Sequence, residues 1–306
     1  MRVFGWLVAL VCAAGCTTPA YTLVRRMELG RLTEGRIEEA HGIGLDRAGR
    51  LLVTDPALDH VYRYTLEGRF LDEIGPDPGG LHGPRDVKVD PQGRVYVVDG
   101  TSHRLLRFDP DGGVVASQAE AGTRAALNRP HALDLDASGR VYVADVDNGR
   151  VAVFDADCRF LREWPTPPVA PASRGAPHGI GVDPRGDIFV VDYNGACFKY
   201  AADGQLLASF AKTGATYHAL CTDGQGFVYL AARGGRRKGS YIEQYTTDGV
   251  HVRSIEVRRP GTVHPVGLAA DAAGRLYVTD DKGVDVLAPT ASSTSSATDS
   301  TTRSGR

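Results

Sequence analysis

Tryptophan and methionine are nearly absent, two of each in 306 residues, and cysteine is sparse at five. No Cys-x-x-Cys pair occurs, which argues against a cysteine-held zinc site. Helical spacing is missing as well: almost no segment repeats apolar residues at i, i+3 and i+4, so a helical bundle is excluded. The formal charge is only −2, which leaves no basic footprint for nucleic acid. No glycine-rich loop leads into a helix, so the usual nucleotide cradle is missing too. One apolar run exists, Val3 to Ala14, and it falls short of the about 20 residues that cross a bilayer.

That run follows Arg2 and ends in Ala13-Ala14-Gly15-Cys16. It reads as the apolar region of a secretory signal. Its ending resembles a bacterial lipobox, in which Cys16 becomes the lipidated first residue; an ordinary cleaved signal is the alternative. The expectation is a lipoprotein signal over 1–16, a tether over 17–20, and a location in the cell envelope with membrane contact only through the lipid. At the other end, residues 289–306 are rich in Ser and Thr with no large apolar side chain after Leu287, and are expected to be a disordered tail. Apart from Cys12 and Cys16, the remaining Cys158, Cys197 and Cys221 allow one disulfide at most.

Glycine is abundant at 37 residues, and the chain between these ends is periodic. One unit runs Pro130-His131-Ala132-Leu133-Asp134-Leu135-Asp136, turns through Ser138-Gly139-Arg140, and returns as Val141-Tyr142-Val143-Ala144-Asp145. A third strand follows at Val151–Phe154 and a fourth at Phe160–Trp164. The turn aspartate recurs as Asp46, Asp90, Asp136, Asp183, Asp223 and Asp271. Nine residues later stand Asp55, Asp99, Asp145, Asp192 and Asp280, with Ala232 breaking the rule in the fifth unit. Six units at 40 to 48 residues, four short strands each, predict an all-β, six-bladed β-propeller over 21–288. The pattern resembles NHL repeats. The sixth unit supplies only three strands, and Tyr21–Leu29 is expected to close it as the fourth, removing an exposed edge.

Most repeated residues then have structural work. The turn Asp and its Gly make a tight connection, and the Asp ending each second strand is expected to hydrogen-bond the next turn. Tyr62, Tyr96, Tyr142, Tyr229 and Tyr277 are expected to pack between blades.

Five residues before each turn Asp stand His41, Arg85, His131, His178, His218 and Val266, so four of the nine histidines share one repeat position. Strict alternation would turn His131 to the same face as Leu133. A channel position therefore requires each His to precede regular pairing, as Pro84, Pro130, Pro177 and Pro265 suggest. Alternate blades lie about 120° apart in a six-bladed ring, so His41, His131 and His218 are expected to converge on the axis. Three neutral imidazoles with a fourth position open are the ligand set of a catalytic zinc.

Ala40-His41-Gly42-Ile43 with Val53-Thr54-Asp55-Pro56-Ala57-Leu58, Pro130-His131-Ala132-Leu133 with Ala144-Asp145-Val146-Asp147-Asn148-Gly149-Arg150, and Tyr217-His218-Ala219 resemble the three metal-binding blades of peptidyl-α-hydroxyglycine α-amidating lyase. That resemblance implies zinc, or another divalent metal, on His41, His131 and His218, and cleavage of a peptidyl-α-hydroxyglycine to a peptide amide and glyoxylate. The chain departs from the family at its proton-handling positions. Gly100-Thr101 stands where the family has a catalytic Tyr, and Asp281 beside Lys282 where it has a catalytic Arg. Ala219 replaces an acidic residue linked to a channel calcium, which leaves structural calcium an open expectation. Tyr193, Arg233, Arg85 and His178 are the candidate substitutes, Tyr193 as general base and Arg85 as an orienting cation.

The leading expectation is a secreted, lipid-anchored, metal-dependent enzyme, monomeric, acting on a small-molecule or peptide substrate with a hydroxyl or carboxylate. The alternative is a non-catalytic binding or scaffold propeller with an envelope protein partner. A calcium-dependent lactonase or esterase ranks below both, because the ring position holds His and Arg where an acidic cluster is needed.

Overall fold

The computed structural model describes residues 20–29, 37–75, 80–110, 113–118, 123–169, 175–211, 215–233, 240–257, 264–280 and 283–290. The signal and lipidation site at Cys16, most of the tether, the Ser/Thr tail beyond Thr290, Asp281, Lys282 and the segment 234–239 lie outside them.

Six four-stranded antiparallel sheets form the blades of one propeller. In the third blade the inner strand Pro130–Leu135 pairs with Val141–Asp145, then Arg150–Phe154, then the outer Phe160–Pro165. The other inner strands are Ile43–Leu45, Pro84–Val89, Pro177–Val182, Thr216–Thr222 and Gly267–Ala270. Tyr21–Met27 pairs antiparallel with Gly283–Pro289 and completes the sixth blade, so the chain's first strand closes the ring. Tyr21 helps hold it there: its hydroxyl donates to the Gly274 carbonyl at 3.1 Å and lies 3.1 Å from the Tyr229 hydroxyl of the fifth blade.

The repeated polar residues are spent on turns. Asp136 accepts from the Ser138 and Arg140 amides on one oxygen, and from Arg140 Nε and the Tyr142 hydroxyl on the other. Gly139 takes φ +83° to close this turn, a conformation that costs glycine least. The second-strand aspartates bond the turn that follows, as expected, Asp55 accepting from the Ala57 and Leu58 amides and Asp192 from Asn194, and they also bond the loop before. Asp55 accepts from the Glu38 amide, Asp99 from His82, Asp145 from Asn128 and Asp192 from Ala176, each tying down the loop that enters its own blade. Asp280 instead receives both terminal nitrogens of Arg26 from the closing strand.

Apolar faces meet between blades: Tyr142, Val151, Val153 and Trp164 of the third pack on Ile180, Val190, Phe198 and Tyr200 of the fourth. The tyrosines are buried as expected, with two corrections. Tyr62 belongs to the third strand of its blade (His60–Thr65), outside the series of the others. Tyr96, Tyr142, Tyr229 and Tyr277 also donate to their turn aspartates, because a buried hydroxyl needs an acceptor. Cys158, Cys197 and Cys221 are buried free thiols, and no disulfide joins any two of them.

Candidate functional site

Where the inner strands begin, pairing slips by one residue between Pro84 and Asp86, Pro130 and Ala132, Pro177 and Gly179, and Tyr217 and Ala219. The skipped residues are Arg85, His131, His178 and His218. The register becomes regular only after each skipped residue, as expected, but one or two paired residues stand before it. The strand begins before it, and a β-bulge leaves the residue unpaired and re-aims its side chain. In the first blade, His41 and Gly42 instead bracket Thr54 through backbone bonds of 2.9 and 3.0 Å. Inner strands also approach closely here, since a Cβ on Gly42 would stand 2.4 Å from the Arg85 carbonyl oxygen.

The ring side chains form a chain of contacts around the mouth. Centroids are 5.2 Å apart for His41 and His131, 3.9 Å for His131 and His178, and 5.7 Å for His178 and His218. Tyr193 joins them at 4.8 Å from His178 and 5.2 Å from His218. A cavity of about 20 Å³ is lined by His41, His131, His218 and Arg85, which is room for one ion or water. A cavity of this size does not admit an organic substrate.

Hydrogen bonds fix the tautomers on one side. His41 Nδ1 stands 2.8 Å from the Arg85 carbonyl and His131 Nδ1 3.1 Å from the His178 carbonyl. A carbonyl only accepts, so each Nδ1 carries the proton and each Nε2 keeps its lone pair, the orientation found in metal-ligating imidazoles. On the other side the nitrogens lack partners: His178 Nδ1, His218 Nε2 and His264 Nδ1 are buried without a hydrogen bond.

Burial keeps these rings neutral. It holds His41 down to about 4, with the Arg85 cation adding to the effect. His131 lies well below its ordinary value through burial and then His178, and His178 is lowered to about 3 by burial and then His218. His218 is lowered by burial, with Arg233 and His264 adding to it.

This donor chemistry suits a divalent ion, but the rings follow one another around the mouth, with His131 and His178 the closest. Two imidazoles that share a tetrahedral ion stand about 5 Å apart, which fits His41 with His131 and His178 with His218. Among the described residues, no group of three His, Cys, Asp or Glu is disposed to hold a metal. The expected trio shares one cavity without closing on one point, and His178 links its members.

Arg85 reaches over Gly100. A Cβ on Gly100 would stand 2.6 Å from Arg85 Cγ, so the missing side chain at Gly100 leaves room for this Arg. Arg233 is exposed at the end of its strand. His264 was missed from the sequence, because it lies two residues before the ring position that Val266 holds in the sixth blade. Deeper in the channel, Lys88 Nζ bonds both Asp86 oxygens at 2.9 and 3.0 Å and the Ile43 carbonyl at 3.1 Å. Lys88 thus offsets the Asp86 charge within the channel. Polar residues at 86, 88 and 134, where other inner strands are apolar, were the available signal.

Residues 81–108 and 127–154 match the NHL repeat model, in the second and third blades. A streptogramin B lyase structure is 13% identical and superposes with a TM-score of 0.65, covering 88% of this chain and 98% of that one. A catalytically inactive histidine-to-alanine variant of virginiamycin B lyase from Staphylococcus aureus, with quinupristin, is 15% identical at a TM-score of 0.64, covering 85% and 82%. A gluconolactonase from Xanthomonas campestris is 17% identical at 0.64, covering 90% and 96%. At these identities the likeness is one of fold, and the chain is a six-bladed β-propeller containing NHL repeats.

Proposed function

We propose that the chain is a secreted, lipid-anchored enzyme of the lyase kind that cleaves a C–N bond at a hydroxylated carbon, with a divalent metal, zinc by expectation, at the channel mouth. The observation that carries this reading is the repeated bulge, which aims imidazoles from separate blades at one ion-sized cavity. His41 and His131 would hold the ion through Nε2, and the partnerless Nε2 of His218 belongs to a ring that lines the same cavity. Such an ion acidifies a hydroxyl and polarises a carbonyl.

The protein's own groups do the remaining work. Substrate lies above the ring because the cavity excludes it. Tyr193, against His178 and His218, would take the proton of the substrate hydroxyl as the carbonyl forms and return it to the nitrogen that leaves as the C–N bond breaks, and Arg85 would supply a fixed positive charge across the mouth. His178 positions Tyr193 and His131 by ring contact, and Arg233 stands at the rim. The histidine-dependent virginiamycin B lyase of the same fold is consistent with a catalytic histidine here.

Metal analysis of the purified protein and its His131→Ala variant tests the reading. Near-stoichiometric zinc or another dication is expected in the first and its loss in the second; a metal-free wild type ends the metal argument. Glyoxylate release from an α-hydroxyglycine compound then separates this lyase from other chemistry. The lack, among the described residues, of three donors disposed to hold one metal favours a second reading, a non-catalytic binding propeller of the envelope. Partner binding unchanged after replacement of all three histidines would support that one.

A further inference from the structure

The blade has two ends, and the chain enters at only one of them. Each inner strand runs from the His ring to the turn aspartate, and each outer strand returns toward the ring, as Arg150 opposite Pro165 shows in the third blade. The closing strand takes the outer place in its blade, with Tyr21 opposite Pro289 and Met27 opposite Val284. Tyr21 therefore stands at the turn face, where its hydroxyl meets Gly274 of the last turn.

The large exposed apolar side chains among the described residues follow the same geography. They are Leu161, Leu206, Leu207, Val250, Leu23 and Val24, between 46% and 62% exposed. Leu161, Leu206 and Leu207 open the outer strands of the third and fourth blades, and Val250 lies in the turn leading into that of the fifth. Leu23 and Val24 lie on the closing strand of the sixth. They form one arc over four neighbouring blades, weighted to the turn face and containing the point where the chain enters.

We infer that this arc rests on the lipid bilayer and that the His ring opens away from it. The inference depends on the lipid-anchor reading of Cys16. From Cys16 to Ala20 the chain can extend at most about 14 Å. A blade strand of five or six residues spans about 17–20 Å. A tether that leaves the turn face cannot reach back along the blade to bring the ring mouth to the membrane. Substrate reaches the ring from the aqueous side, and the arc adds apolar contact to the one or more acyl chains of the anchor, which hold a protein more firmly together with a second membrane signal than singly.

The test uses the full-length, lipidated protein in phosphatidylethanolamine–phosphatidylglycerol vesicles containing brominated acyl chains. A fluorophore is attached to Val250→Cys at the turn face or to Asp147→Cys at the ring face. The native Cys158, Cys197 and Cys221 are buried and leave the introduced thiol as the reactive one. Several-fold stronger quenching at Val250→Cys than at Asp147→Cys is expected, and Leu206→Ser/Leu207→Ser should reduce it. Equal quenching, or stronger quenching at Asp147→Cys, on protein whose mass shows a lipidated Cys16 overturns the orientation alone. A mass without lipid on Cys16 overturns the anchor and the orientation together.

Discussion

One blade departs from the turn chemistry of the others, and the departure has a measurable energy. In the third blade Asp136 Oδ2 accepts from Arg140 Nε at 2.6 Å and the Tyr142 hydroxyl at 3.0 Å. The same two partners serve Asp90 and Asp271, and Tyr229 alone serves Asp223. In the fourth blade the corresponding residues are Asp187 and Phe189, and Asp183 Oδ2 is buried without a hydrogen bond. Phe189→Tyr should restore a hydroxyl at the place where equivalent tyrosines make bonds of 3.0 to 3.4 Å. A bond to a buried charged acceptor contributes about 1.5–3 kcal/mol. The crowding of a fully buried ring removes part of that, which leaves a gain of about 1–2 kcal/mol. In a domain of this size that raises Tm by roughly 2–8 °C. Differential scanning calorimetry of the wild type, Phe189→Tyr and the reciprocal Tyr142→Phe measures it. A gain for the first with a comparable loss for the second is expected; no change in either would refute the account of these turns.

Two further outcomes follow from the site. Gly100→Ala should leave the fold intact but displace Arg85, because the new methyl would stand 2.6 Å from its Cγ; the check is a crystal structure of the variant, with any lyase activity falling alongside. Acidification should destabilise the ring. Depressed imidazoles bind fewer protons folded than unfolded, so stability is complete above about pH 6.5 and is lost as pH falls toward about 4, where His41 titrates, and further toward 3 for His178. His41 alone accounts for roughly 3 kcal/mol over that range. Asp134, raised by burial to about 6, works in the opposite sense and offsets part of the loss. A Tm that stays level or rises between pH 6.5 and 4 would contradict the buried, neutral state of the ring.

The periodic residues told the architecture plainly because each of them makes one local bond that the fold repeats. A turn Asp with Gly three residues on can only be a tight hairpin, so six of them at even spacing count blades, and a fourth strand missing at one end with a spare strand at the other implies closure. Side-chain direction at the ring was less legible. Period-two alternation pointed His131 toward the core, and only a bulge, which adds a residue without leaving a sequence mark of its own, reverses it. The proline before the histidine hinted at this, because a residue without an N–H cannot take a regular place in the ladder. Distances between blades were not legible at all. Repeat position says that His41, His131 and His218 share a height and a pore; whether their nitrogens meet depends on how closely the inner strands pack. That packing is set by Gly42 and Gly267, whose lack of a side chain lets the backbones close in, and by Arg85, which enters the same ring from the blade between His41 and His131. The Arg85 cation adds to burial in keeping the His41 and His131 imidazoles neutral and, by the same field, opposes a second positive charge. The two effects meet in one residue. Whether the mouth holds a metal therefore turns on Arg85 as much as on the histidines, and Arg85→Met is the substitution that should tighten metal binding if the ring is a metal centre.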